Sequence, residues 1–212
     1  PYALIMGVSG LFPFVDFDEA GVPRYGQRIV LPGDPNIDAL VTGRDGTIYG
    51  ITAAGKELHV LTFNRENLTF TRLATSQRLD LPRGMSGRIG VWLDTNDRLH
   101  VYFAVSDGNA LRNDQNHHAA TYLPYDGAGF WRGNIPRLSL YHAAFDSIRM
   151  GSLMRLARAS DGPGEFLFSM EGMAVLDLGP DHPPGLAVSD KLSTLRYFPL
   201  DPQTGAPGRM QF

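Results

Sequence analysis

The chain has 212 residues, of which 43% are hydrophobic and 19% are charged, and its formal net charge is −3. This length suits one domain or a compact repeat array and allows a substantial core to be buried. The slightly acidic balance argues against a nucleic-acid partner, which usually requires a basic face. The sequence contains no cysteine, which excludes disulfides, thiolate chemistry and cysteine-ligated zinc. No apolar run is long enough to span a bilayer, so we expect a soluble protein, with extracellular and cytoplasmic locations both open.

The N-terminal third predicts short antiparallel strands. Residues 1–30 give strand, strand, turn and strand, with Asp-Glu-Ala-Gly at 18–21 as the turn. In residues 37–74, four short apolar-rich runs alternate with three compact turn clusters, which predicts a four-stranded antiparallel meander. Such a small sheet is not stable alone, so it needs neighbours. Residues 88–106 then predict another hairpin.

Residues 109–142 break this rhythm. They form the longest stretch without clear alternation, and long irregular segments in compact domains are typically functional or disordered. Their content of tyrosine, tryptophan and phenylalanine argues against disorder. We therefore predict an irregular insertion at 109–142 that carries the function.

Residues 140–159 have two interpretations. Their apolar spacing allows an amphipathic helix interrupted at Gly151, and it equally allows two strands. The remaining residues, from 160 to 212, predict short strands separated by turns rich in glycine and proline.

An internal repeat runs through the chain. A leucine that opens an apolar strand, followed by a polar or glycine turn, recurs with a mean spacing of about 46 residues, close to one four-stranded propeller blade. Its copies begin at Leu11, Leu58, Leu99, Leu153 and Leu195. A register shifted by one strand also matches, because DALVTGRDGTIYG aligns with GVWLDTNDRLHVY.

These patterns predict an all-β fold in a single domain over residues 1–212, most simply a five-bladed β-propeller. The alternatives are a β-sandwich, or an open mainly-β repeat with one helix near 140–159. The predicted units are about 1–30, 37–74, 88–115, 140–178 and 185–212.

The segment DGTIYGITAAGKELHVLTF resembles a blade of the tachylectin-type lectin propellers, which repeat an Asp-Gly turn and a tyrosine-containing inner strand. The resemblance is clearest over residues 37–74. It implies a monomeric or oligomeric lectin that binds an acetylated amino sugar. The chain departs from that family in having only two tryptophans, Trp92 and Trp131, so the resemblance does not imply an equivalent sugar site in every blade.

The insertion contains side chains suited to carbohydrate. Sugars pack their apolar faces on aromatic rings while Asn, Asp and Arg side chains hydrogen-bond their hydroxyls, and YDGAGFWRGN at 125–134 offers both kinds of group. The competing interpretation is that these aromatics pack the insertion onto the body of the protein. The predicted ligand-binding residues are Asn113, Asn116, His117, His118, Tyr125, Asp126, Trp131 and Arg132.

Three polar residues of the insertion raise the hypothesis of a metal site. His117 and His118, with Asp114, are residue types that suit Zn or Mn. Adjacent residues of a strand point to opposite sides, however, and no third histidine lies at ligand spacing. A solvated polar loop is favoured, so we predict no metal and no cofactor. His59 and His100, both in Leu-His-Val, are predicted to occupy equivalent places in two repeats and to be structural.

The sequence therefore predicts a non-enzymatic recognition module, with a glycan or glycoprotein as its partner and homo-oligomers allowed. One alternative is a glycoside hydrolase that uses a carboxylate pair in a central cleft. The candidate carboxylates fall mostly at predicted turns, where aspartate bonds its own backbone, and no residue is assigned as catalytic. They are Asp16, Asp18, Asp94, Asp146, Glu165 and Glu171. Another alternative is a structural or assembly subunit of a larger particle or filament.

Overall fold

All regular structure in the described part of the chain is β-strand, which confirms the predicted all-β class. A computed structural model describes the following residues: 4–7, 10–29, 37–76, 78–81, 84–106, 137–146, 148, 153–158, 167–168, 170–177, 179, 181–190 and 195–209. Residues 109–136 of the predicted insertion lie outside this set. The prediction of an irregular segment is wrong for 137–142, because these residues belong to a regular antiparallel strand.

The first two sheets follow the chain in order. The first is antiparallel and contains β1 (Leu4–Gly7), β2 (Gly10–Phe17) and β3 (Pro23–Tyr25). The second is the predicted meander, with β4 (Ala39–Thr42), β5 (Ile48–Ala54), β6 (Glu57–Asn64) and β7 (Thr69–Thr75) paired in sequence.

The third and fourth sheets complete the described fold. The third contains β8 (Met85–Leu93), β9 (Leu99–Ser106), β10 (Arg137–Phe145) and β11 (Leu153–Arg158), and the short β12 (Leu167–Phe168) pairs with the start of β10. The fourth contains β13 (Met170–Leu176), β14 (Gly185–Asp190) and β15 (Leu195–Pro199).

The helix considered near 140–159 is wrong. Tyr141 pairs with Arg158 and Ala143 with Leu156, so β10 and β11 form an antiparallel ladder. The spacing of apolar residues at 140–159 was compatible with a helix because β10 is buried on both of its faces. A strand buried on both sides carries apolar residues without strict alternation and then imitates a buried helix.

The leucines of the predicted repeat do not lie in the same strand position of each sheet. Leu58 lies in β6, the third strand of its sheet, whereas Leu99 begins β9, the second strand of the next. The predicted equivalence of His59 and His100 is therefore wrong, and the register shifted by one strand describes the sheets better. β8 and β9 come from the predicted unit 88–115 and β10 and β11 from 140–178, yet all four belong to one sheet.

The third sheet lies between the second and the fourth. Alternate residues of β9 face opposite ways, so Val101 and Phe103 pack against the second sheet while Tyr102 packs against the fourth. β8 contacts both β4 and β13, so the first strands of three consecutive sheets adjoin one another. Gly90 permits the close approach of β13, since a Cβ there would lie 2.9 Å from the side chain of Met173. Adjoining first strands are expected between neighbouring propeller blades, and closure into a five-bladed ring stays a prediction.

Candidate functional site

The predicted ligand residues lie outside the described part of the chain, but the structure fixes where their segment is attached. β9 ends at Ser106 and β10 begins at Arg137, and Ser106 pairs with Leu138 across the two strands. Residues 107–136 therefore connect two adjacent antiparallel strands of the central sheet, and they leave it at a single end. A two-residue turn is enough to join such strands. The extra length is not required by the sheet, and the assignment of the eight ligand residues stays a prediction.

The described residues show a second polar feature, on the face of the central sheet that packs against the fourth sheet. β9 alternates between apolar and polar residues over Leu99–Tyr102, and this alternation directs His100 and Tyr102 to the same face. Across the sheet, Tyr102 pairs with His142 of β10 and His100 pairs with Trp92 of β8. The register alone thus brings two histidines and two large aromatic side chains together.

These side chains form a hydrogen-bonded row that begins at Asp94. The Oδ1 atom of Asp94 accepts hydrogen bonds from the backbone N–H groups of Asn96 (2.7 Å) and Arg98 (2.9 Å), which fixes the β8–β9 turn. Its Oδ2 atom lies 3.4 Å from Nε2 of His100. On the other side of that ring, Nδ1 lies 3.1 Å from Nε2 of His142. We call Asp94, His100 and His142 the histidine row.

Aromatic rings enclose the histidine row. The indole of Trp92 stacks on His100 with ring centroids 4.9 Å apart, and the phenol of Tyr102 stacks on His142, also at 4.9 Å. Trp92 donates a hydrogen bond from Nε1 to the carboxylate of Asp177, which follows β13 (3.0 Å). The row is therefore tied to the fourth sheet as well as to its own.

The C-terminal turn covers the row. The hydroxyl of Tyr102 donates a hydrogen bond to the carbonyl of Gly205 (2.8 Å). Gly205 has a φ of 65°, and a Cβ at this position would lie only 2.4 Å from Nδ1 of His100. Only glycine meets both demands, because L-residues rarely adopt this backbone conformation and any side chain would meet the imidazole.

The electrostatics of the row follow from its burial. His100 is 1% exposed and His142 is 0% exposed. Burial lowers the pKa of His100, and the hydrogen bond and charge of Asp94 only partly oppose that shift. Burial also raises the pKa of Tyr102, so its hydroxyl stays protonated and remains a donor. The two imidazoles are buried, so a substrate cannot reach them in this structure.

Three of the carboxylates considered for a hydrolase are engaged in local structure. Asp16 forms an ion pair with Arg24 across the β2–β3 hairpin. Asp18 accepts hydrogen bonds from Ala20 N (2.9 Å) and Val22 N (2.8 Å) in the turn that follows β2. Asp94 caps the β8–β9 turn, so Asp18 and Asp94 have the predicted turn role, whereas Asp16 lies within a strand and is engaged by an ion pair instead.

Sequence reasoning missed His142, Tyr102 and Gly205. A polar residue between apolar neighbours on two buried strands was a readable signal, since Leu99-His100-Val101 and Tyr141-His142-Ala143 both show it. The contribution of Gly205 carried no such signal, because it depends on how the C-terminal turn folds back. In the parts of the chain that the structure describes, no group of three or more His, Asp and Glu side chains could hold a metal ion. Those parts also include no helix long and apolar enough to cross a membrane.

Comparison with known proteins shows no family. No protein-family model matches the chain, and no curated protein matches it either.

Solved structures give distant likenesses. A periplasmic gluconolactonase of Pseudomonas aeruginosa is similar at 15% identity with a TM-score of 0.48, over 100% of this chain and 49% of that one. An alpha-L-arabinanase of Cellvibrio cellulosa is similar at 10% identity and a TM-score of 0.49, over 99% of this chain and 72% of that one. A mutant Aleuria aurantia lectin in complex with alpha-methyl-L-fucoside is similar at 13% identity and a TM-score of 0.37, over 99% and 76%. This chain thus spans about half the length of the gluconolactonase. At these scores the likenesses carry no argument about function.

Proposed function

We propose that the protein is a non-enzymatic recognition module that binds carbohydrate through residues of the 109–142 segment. The observation that carries this proposal is the attachment of residues 107–136 between two adjacent strands of the central sheet, where a short turn would suffice. Binding residues commonly lie on loops positioned by a rigid scaffold. The strands that flank the segment, β9 and β10, form such a scaffold, because side chains on both of their faces are buried.

The composition of the segment supports carbohydrate as the ligand. Tyr125 and Trp131 can offer ring faces to the apolar side of a sugar, while Asp126 and Arg132 can bond its hydroxyls. Asn113 and Asn116 add further amide donors and acceptors of the same kind. The resemblance to tachylectin-type lectins agrees with this chemistry, and an acetylated amino sugar is the first ligand class to test.

The structural roles of Asp16, Asp18 and Asp94 favour binding over hydrolysis by these three carboxylates. A glycoside hydrolase needs two carboxyl groups that face each other across the scissile bond. Asp16 is paired with Arg24, and Asp18 and Asp94 cap turns. Each of these groups has a structural task in place of an acid or base role.

The test is a glycan array followed by titration of the tightest glycan. We expect array binding and a loss of at least about fivefold in affinity for Trp131→Ala, since truncation of an aromatic anchor costs about 1 kcal/mol or more. The matched control is Phe17→Ala, which removes an aromatic ring that is 62% exposed and lies on β2. A flat array, or equal losses in both variants, would contradict the proposal.

A further inference from the structure

We propose that the histidine row is an acid-sensitive catch, which holds the C-terminal turn on the central sheet at neutral pH and releases it as the pH falls below about 6.5. This device is separate from carbohydrate binding and does not depend on it. Its parts are the contact between His100 and His142, the surrounding charges, and the turn that rests on the His100 ring.

The contact between the two rings limits how many protons the row can hold. At 3.1 Å, Nδ1 of His100 and Nε2 of His142 are at hydrogen-bond distance. Such a bond needs one nitrogen that carries a hydrogen and one that does not, and a charged imidazole carries hydrogens on both nitrogens. If both rings are charged, two donors face each other at this distance. Full protonation therefore converts an attractive contact into a repulsive one.

The charges that face the row do not favour full protonation. In the β8–β9 turn, the carboxylate of Asp94 can balance one positive charge on His100. In the same turn, the positive charge of Arg98 opposes protonation of the same ring. From the fourth sheet, Arg196 is 5% exposed and pairs with Val188, on the side that packs against the central sheet. The carboxylate of Asp177 accepts the hydrogen bond from Trp92, and Asp201 caps its own turn. Of these carboxylates, Asp94 contacts the imidazole of His100 directly.

The direction of the pH dependence follows from burial. Burial lowers the pKa of His100 in the closed structure below the ordinary value of about 6.5. Above that value the ring is neutral whether the turn is open or closed, and the closed form keeps its full stability. As the pH falls below that value, an open, hydrated ring takes up a proton more readily than the closed one. Acid therefore favours opening.

A change in the histidine row alters the contacts that hold the C-terminal turn. It spans residues 200–208 and is closed by a bridge between Leu200 and Pro207 and by a hydrogen bond from Gly205 N to Asp201 O (2.8 Å). Its contacts with the central sheet include the hydrogen bond from Tyr102 to Gly205 and the packing of Gly205 on the His100 ring. Movement of His100 disturbs the packing against Gly205. Movement of Tyr102, whose ring stacks on His142, disturbs the hydrogen bond to Gly205.

Amide hydrogen exchange tests the proposal on the unaltered protein. The reporters are the amides of Gly205 and Gly208, which donate to Asp201 O and Pro199 O. We expect their protection factors to fall between pH 7.5 and pH 5, while the amides of β5 and β6 keep theirs. Unchanged protection at Gly205 and Gly208, or a parallel loss in β5 and β6, would overturn the proposal.

Fluorescence adds a direct readout of the His100 ring. The chain has two tryptophans, so Trp131→Phe leaves Trp92 as the sole reporter, stacked on His100. We expect its emission to change below about pH 6.5. The change should vanish when His100→Gln and His142→Gln are added, because the amide does not titrate. It should persist with His59→Gln, which removes a histidine on β6 whose pKa burial also lowers. A transition that survives the double substitution would contradict the catch. The exchange experiment decides the question if that variant does not fold.

Discussion

The two faces of the central sheet differ in what holds them to their neighbours. The face toward the second sheet is apolar, with Val101 and Phe103 at 0% exposure on β9. The face toward the fourth sheet carries His100 and Tyr102 from the same strand. Consecutive residues of one strand thus build a dry interface on one side and a hydrogen-bonded one on the other.

The apolar face and the polar face of the central sheet contribute differently to the stability of the protein. An apolar interface gains stability from area alone, and its strength does not depend on pH. A buried polar row is costly unless every group is bonded, and it makes the interface specific and dependent on protonation. We therefore expect the first interface to set the stability of the fold and the second to set how the C-terminal turn is held.

Phe103→Ala should have the largest effect. Its ring is fully buried and lies 6.0 Å from the ring of Tyr141, between centroids. Truncation of a buried phenylalanine typically lowers the free energy of unfolding by about 3–5 kcal/mol. Urea denaturation at pH 7.5 and pH 5.5 measures the loss, which should be the same at both pH values. A loss that depends on pH would break the distinction between the two faces.

Gly205→Ala should come next, with a loss of about 2–4 kcal/mol in unfolding free energy. The matched control is Gly55→Ala, because Gly55 has a φ of 63° and nothing within 4 Å of its missing Cβ, whereas Gly205 meets His100. The control should lose only about 1–2 kcal/mol of unfolding free energy, which is the cost of holding an L-residue in this left-handed backbone conformation. Equal losses in the two variants would show that Gly205 does not rest on the imidazole.

Tyr102→Phe should have the smallest effect of the three. It keeps the stacked ring and removes the hydroxyl that donates to Gly205 O, so a loss of about 1–2 kcal/mol in unfolding free energy is expected. Tyr25→Phe, on a tyrosine that is 49% exposed, should change the unfolding free energy by less than about 0.5 kcal/mol. If neither substitution changes the unfolding free energy, the hydroxyl of Tyr102 does not help to hold the turn.

Much of the fold was predictable from the sequence because short apolar runs and turn clusters are local signals. The meander at 37–74 is the clearest case, since its hairpins close over turns such as Gly43–Thr47, and Asp45 bonds its own backbone there. The assignment of strands to sheets was not predictable. β6 and β9 share the sequence Leu-His-Val, so Leu58 and Leu99 look alike although one lies in the third strand of its sheet and the other in the second strand of the next.

The site was less accessible to sequence reasoning. His100 and His142 are 42 residues apart, and only the register of β9 and β10 brings their rings together. The contact of His100 with Gly205 requires the return of the chain from the fourth sheet, which no local pattern records. The composition of 109–142, by contrast, is a local signal for carbohydrate, and it stays a prediction.

The most direct test of the account replaces residues 109–134 with a short Gly-Ser linker between β9 and β10. Loop length alone changes stability only slightly, so cooperative unfolding should be retained with a free energy within about 1 kcal/mol of the parent protein. Titration calorimetry with the tightest glycan from the array then decides the matter. We predict that the variant with the linker shows no binding, whereas the Phe17→Ala control binds like the parent. Retained binding by the variant would contradict the claim that this segment carries recognition and the sheets support it.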